Sequence, residues 1–331
     1  MSLLYVTDIT QAGQFSSAQI NQYIQQLKDY RKRQDAIDAL VLAGKPAVDE
    51  LIAALQDKDA SVRDGAVYAL GSMGEKAVSA VPALAQTLLQ DEDASVRFQA
   101  AFALAMFQKD VKTAVPALIK ALQDQDTHVR SAAAYALEKI GEEAAPAIPA
   151  LIAALQDDEG DVRASAAGAL GSIGIEAKVS LNLLIQAVLQ DKELTVRARA
   201  ADALSYIGED AKAVPVLILA LQDKDEWVRY CVAVALGKIG TEAIDAIPAL
   251  TVAVQDKDQL VSLSSIRALG EIGQSLLANI EQLPSAELDR AISNFDIALK
   301  VLADRKLKFS KDELTYVREL VDSLKKERLK R

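Results

Sequence analysis

The sequence predicts an all-α fold, a right-handed α-solenoid of helical hairpins with helical caps at both ends. Three observations predict it. A Val-Arg pair recurs six times, at Val62-Arg63, Val96-Arg97, Val129-Arg130, Val162-Arg163, Val196-Arg197 and Val228-Arg229, with successive arginines spaced by 34, 33, 33, 34 and 32 positions. A Gln-Asp pair stands six residues before each of these valines and before Val261, where Ser262 replaces the arginine. Of 331 residues 51% are hydrophobic but only 5% aromatic, so the apolar side chains are mostly the Ala, Leu, Val and Ile that suit packed helices. A fixed period of this length is the mark of stacked supersecondary units, none of which buries its apolar face alone.

Each unit reads as two helices. The first opens on proline, as at Pro82, Pro116, Pro149, Pro215 and Pro248, with Asp49 and Asn182 in the corresponding places elsewhere. Proline in the first turn sacrifices no helical hydrogen bond. The acidic stretch after Gln-Asp ends that helix, and Asp59, Asp93, Asp126 and Asp225 are placed to cap the second one. Most second helices close on a Leu-x-x-Ile/Met-Gly phrase, such as Leu70–Gly74 and Leu204–Gly208, where glycine supplies a left-handed cap. The resulting division is an arm over 1–15, a capping hairpin over 16–44, seven repeats over 45–273 and a C-terminal helical cap over 274–331. Ser310 and Glu313 read as a capping box for the last helix.

Charge and composition exclude several functions. The net charge is −10, divided into −15 over residues 1–299 and +5 over 300–331. An acidic body repels phosphate backbones, so nucleic acid is not the expected partner. The basic end reads as a helix C-terminus favoured by its dipole. One Cys and one His exclude a disulfide framework and a zinc site built from several such ligands within one chain. No phosphate-binding glycine loop, HExxH or GxSxG phrase occurs. The first residues do not resemble a signal peptide, and the longest apolar run, Ala213–Leu221, is under half a membrane span. A cytoplasmic protein is expected.

The units share the phrase Gln-Asp-x-Asp-x-x-Val-Arg-x-x-Ala-Ala-x-Ala-Leu-Gly-x-Ile-Gly. It resembles the HEAT-like repeats named after phycobilisome lyases, over roughly residues 16–273. In such families the second helices line the concave surface. The resemblance implies an adaptor for a protein partner, with a phycobiliprotein or a carrier protein among the candidates. Its alternative implication is a subunit of a bilin lyase or lyase–isomerase holding an open-chain tetrapyrrole, or a related phycobilisome-associated factor. No catalytic residue and no metal is expected on the first reading, and the assembly is a monomer or a heterodimer.

Arg63, Arg97, Arg130, Arg163, Arg197 and Arg229 are read as a structural ladder, each pairing with an aspartate along the stack. As exposed pairs these would each contribute little. The positions the repeat leaves free carry the functional expectation. With the Val of Val-Arg as zero, a ~100° advance per residue places offsets 0, 4, 7, 8 and 11 in the core and 2, 3, 6, 9 and 10 on the opposite face. That face holds Tyr68, Phe98, Phe102, Met106 and Tyr135 as one aromatic strip, followed by bare units at Ala164, Gly168 and Ala198. Asp202 and Tyr230 follow, with Trp227 just before its valine. Lys139, Arg199, Lys238 and Arg267 are the basic groups there. Such patches mark binding sites. On the lyase alternative, Arg199 or Lys139 holds propionates, while Tyr68, Tyr135 or Asp202 assists proton transfer. His128 is read as a surface residue, and Cys231 as a thiol without a local partner.

Overall fold

The computed structural model describes residues 15–207, 212–303 and 311–331. The N-terminal arm to residue 14, Gly208, Ser310 and the Glu313 side chain lie outside what it describes. Helices account for the described secondary structure, and the all-α solenoid is the architecture. The first helices of the repeats are α3 (Lys45–Ala54), α5 (Val81–Gln90), α7 (Val115–Ala121), α9 (Ile148–Ala154), α11 (Leu181–Gln190), α13 (Ala213–Ala220) and α15 (Ile247–Ala253). The second helices are α4 (Ala60–Met73), α6 (Ala94–Ala105), α8 (Thr127–Ile140), α10 (Gly160–Ile173), α12 (Leu194–Ile207), α14 (Glu226–Ile239) and α16 (Gln259–Ala278). Flanking them are α1 (Ser17–Gln26), α2 (Arg33–Ala43), α17 (Ser285–Ala303) and α18 (Lys311–Arg328).

The chain divides into two compact units, Met1–Ala169 and Leu170–Arg331. Within the first, first helices pack on first helices (α1 on α3, α5 on α7) and second helices on second helices (α2 on α4 on α6 on α8). Within the second unit, α11 packs on α13, α15 on α17, and α12 on α14 on α16 on α18. The flanking hairpins therefore continue the two-layer stack of the unit each belongs to.

The core is the expected stripe. In α4, Val62, Ala66, Ala69, Leu70 and Met73 are all buried. Each fully buried leucine or valine contributes roughly 1.5–3 kcal/mol relative to exposure. Asp59, Asp93, Asp126, Asp225 and also Asp258 accept backbone N–H groups as N-caps.

Several expectations about the ends change. Pro46 lies in the first turn of α3, which starts at Lys45, so Asp49 is interior to that helix. The glycines after the second helices have positive φ, but their ψ is strongly negative: Gly74 at φ 54, ψ −129 and Gly141 at φ 71, ψ −135. That pair is the first central position of a type II′ turn, not the left-handed helical region, and only glycine adopts it freely. A 3-10 segment follows, such as Gly74–Ala80 or Gly141–Ala147, before the next first helix. Gly273 ends nothing. It lies inside α16, which runs on to Ala278, so the boundary expected there falls within a helix. One run, Gly160–Gln190, is apolar and long enough to cross a membrane by composition. It breaks at Gly174, with φ at +79, into α10, a 3-10 segment and α11.

The ladder is real but not exposed. Arg97 donates from Nε and Nη2 to both carboxylate oxygens of Asp124, at 2.8 and 2.9 Å, and from Nη1 to the Asp91 carbonyl at 2.9 Å. Arg63 with Asp91, Arg130 with Asp157, Arg197 with Asp223 and Arg229 with Asp256 repeat the fork. Arg163 donates to the carbonyls of Asp157 and Asp158. Arg63, Arg97, Arg130, Arg197 and Arg229 thus each tie their own hairpin loop and reach the next aspartate. In the seventh unit the Ser262 hydroxyl bonds the Val254 carbonyl instead. Arg97 is only 5% exposed and Arg63, Arg163, Arg197 and Arg229 are buried like it, while Arg130 is half-buried, so most of these pairs are ones where losing one partner is expensive.

Burial pushes the Asp124, Asp157, Asp223 and Asp256 carboxyls up. The arginine fork, an N–H two residues on and the arginine charge outweigh it and hold all four below the usual carboxylate range. A depressed folded-state pKa contributes stability above the unfolded value and loses it as pH falls through the folded one. The expected result is a melting temperature that is level from about pH 5 upward and drops steeply below about pH 4, where free aspartate protonates. Thermal melts followed by circular dichroism across that range check it.

Candidate binding surface

The second helices bury more of their surface than a lone helix would. Offsets 3 and 9 were expected on the free face, but Gly65, Ala132, Gly71 and Ala105 at those offsets are buried, Gly65 against the side chain of Leu27, the C-cap residue of α1, and Gly71 against the neighbouring second helix. A Cβ on Gly71 would lie 2.8 Å from the Ala103 Cβ. What stays open is a narrow stripe at offsets 6 and 10, one helical turn apart, joined by offset 2 where the side chain is large, as at Phe98; Ala164 and Ala198, expected on the free face at offset 2, are buried.

In the first unit that stripe is aromatic. Tyr68, Phe98, Phe102 and Met106 are exposed, with the two phenylalanines 38% exposed, and Tyr135 is half-buried. The rings do not form one continuous strip. Phe102 stacks parallel to Tyr135, with centroids 5.8 Å apart and planes 6° apart. Lys139 Nζ lies 4.9 Å from the Tyr135 centroid, a cation–π contact. Phe98 turns instead to the edge of His128, at 6.5 Å. Tyr68 makes no ring contact among the described residues. Ala94, Ser95, Phe98, Asp126 and His128 line a shallow cleft of about 290 Å³. A larger cleft of about 460 Å³ includes Arg63 and Asp91, whose polar groups already serve each other.

The second unit carries a separate set. Trp227, half exposed, stacks on Tyr230 at 5.1 Å. Asp202 accepts from Lys238 Nζ at 2.8 Å, and the same Nζ lies 2.8 Å from the Tyr206 hydroxyl. Asp202 is therefore an ion-pair partner rather than a free acid. Burial lowers the Lys238 ammonium, but its bonds to Asp202 and Tyr206 raise it above its ordinary value. Arg267 is exposed, and Arg199 is half-buried. Burial, with the Asp202 charge, pushes the Cys231 thiol up to about 11, so it is protonated at neutral pH and unactivated. Tyr206 was missed as a candidate although it shares offset 10 with Met106, Lys139 and Lys238. His128 is exposed as expected, but its ring contact with Phe98 was not foreseen.

Family comparison follows the repeat. The model of HEAT repeats matches residues 20–104, 81–171, 143–204 and 181–246, most of the chain. The chain belongs to the HEAT-repeat family. No curated protein matches it by sequence. Among solved structures, an engineered protein aligns over 95% of this chain and 92% of its own, at 22% identity and a TM-score of 0.58. The YibA protein of Escherichia coli aligns over 94% and 98%, at 22% identity and a TM-score of 0.54. The complex of CpcE and CpcF of phycocyanin lyase from Nostoc sp. PCC7120 covers 46% of this chain and 97% of its own, at 24% identity and a TM-score of 0.41. At such identities the first two show a shared HEAT-repeat fold, and the third overlap is too slight to argue from.

Proposed function

We propose that this HEAT-repeat chain is a non-catalytic scaffold that docks a segment of a partner protein on the second-helix face of its first unit. One observation carries the reading: Tyr68, Phe98, Phe102 and Met106 remain exposed on helices whose other faces are packed. Exposed aromatics on a rigid frame supply large contact area at small entropic cost, and such residues dominate binding energy. The regularity of the array also supports it, since a stack of near-identical hairpins holds these side chains at fixed intervals.

The test is capture from the native host's soluble extract by wild type and by the Phe98→Ala/Phe102→Ala variant, read by mass spectrometry and visible absorbance. Each ring is more than half covered, so the double change costs a few kcal/mol, yet helical content is expected to persist. Loss of a specific colourless partner, by about tenfold or more, is the expected result. Undiminished capture contradicts the docking face. A bound chromophore would favour the bilin-lyase alternative and its open-chain tetrapyrrole.

A further inference from the structure

The cleft at the start of α6 and α8 carries a chemical preference. Its lining includes the partly exposed Phe98 ring, the His128 ring that meets it at 6.5 Å, and Asp126. Asp126 Oδ1 accepts from the N–H groups of His128 and Val129, at 2.8 and 3.3 Å. Its Oδ2 has no partner among the described residues. The helix N-termini beside the cleft are already capped by Asp93 and Asp126, so their N–H groups are not offered to an anion. No lysine or arginine lines it. At about 290 Å³ it lies at the floor of the ~300–1,000 Å³ range of small-molecule sites, and so suits a single long side chain.

We propose that the Phe98–Asp126 cleft receives an arginine side chain from the docked partner, its guanidinium over the Phe98 ring and ion-paired to Asp126 Oδ2. Arginine fits better than lysine because its planar fork stacks on an aromatic face while bonding a carboxylate. The charge of −15 over residues 1–299 steers a cationic segment toward the body of the chain. This inference rests on the docking reading and adds the chemistry of the partner.

The experiment uses the full chain and two fluorescein-labelled peptides of three Gly-Leu-Arg repeats, one of them with citrulline in place of each arginine. Binding is read by fluorescence anisotropy. The arginine peptide is expected to bind about tenfold tighter than the neutral one, as one desolvated cation–π and ion-pair site warrants. Asp126→Asn, which retains N-capping, and Phe98→Leu are each expected to abolish most of that preference. Glu142→Gln, in the 3-10 segment just past the far end of α8, is expected to leave it intact. Equal binding of the two peptides, a preference unaffected by Asp126→Asn, or no binding of either peptide overturns the inference. Equal binding that Phe102→Ala/Tyr135→Ala removes would overturn the arginine preference while leaving the docking face standing.

Discussion

Arg97→Met is expected to destabilise the first unit by about 3–5 kcal/mol, the cost of leaving a buried carboxylate without its cation. Asp124 would lose both oxygen partners from the guanidinium while keeping only the Asp126 N–H at 2.8 Å. The Asp91 carbonyl would also lose its donor. Arg97→Lys keeps the charge but not the fork, and should recover only part of the loss. The double change Arg97→Met/Asp124→Leu should recover more, because replacing a buried pair by apolar groups is often neutral. Urea unfolding of the four proteins measures it. A loss under about 1 kcal/mol for Arg97→Met would return the ladder to the standing of surface ion pairs.

Gly71→Val should cost about 3 kcal/mol, although valine is the better helix former. The added Cβ would lie 2.8 Å from Ala103 Cβ and 3.0 Å from Ala103 Cα. Neither atom can swing away, so α4 and α6 must separate. Those helices carry Tyr68 and Phe102, and spreading them should weaken partner capture as well. Ser72→Val, one residue on and exposed, is the control and should change stability by no more than about 0.5 kcal/mol. Equal melting temperatures for the two variants would mean the helices do not meet as closely as described.

The stack was legible because its signals are local or strictly periodic. Val-Arg, Gln-Asp and the capping aspartates recur in phase, and each does its work within one hairpin or between adjacent ones. The glycine turn was half legible. Gly74 announces positive φ, but its ψ of −129 depends on the 3-10 segment that follows. Burial at offsets 3 and 9 was illegible from one helix alone, since Gly65 and Gly71 are covered by Leu27 and Ala103, from other parts of the stack, rather than by their own core stripe. The same limit applies to side-chain pairings. The Phe98–His128 contact and the Lys238 bonds to Asp202 and Tyr206 join residues about one repeat apart, and periodicity fixes their helix face but not their rotamers. The exposure of the ladder was misjudged for a related reason: arginine and aspartate look like surface residues until the neighbouring loop covers them.

The most direct measurement of the docking face is site-specific photocrosslinking in the native host. A photo-reactive benzoylphenylalanine at position 102 lies on the second-helix stripe, and one at position 86 lies on the exposed side of a first helix in the same unit. The account predicts a discrete covalent adduct with one partner protein from position 102 and none from position 86. No adduct at 102, or the same adduct from both positions, would contradict it.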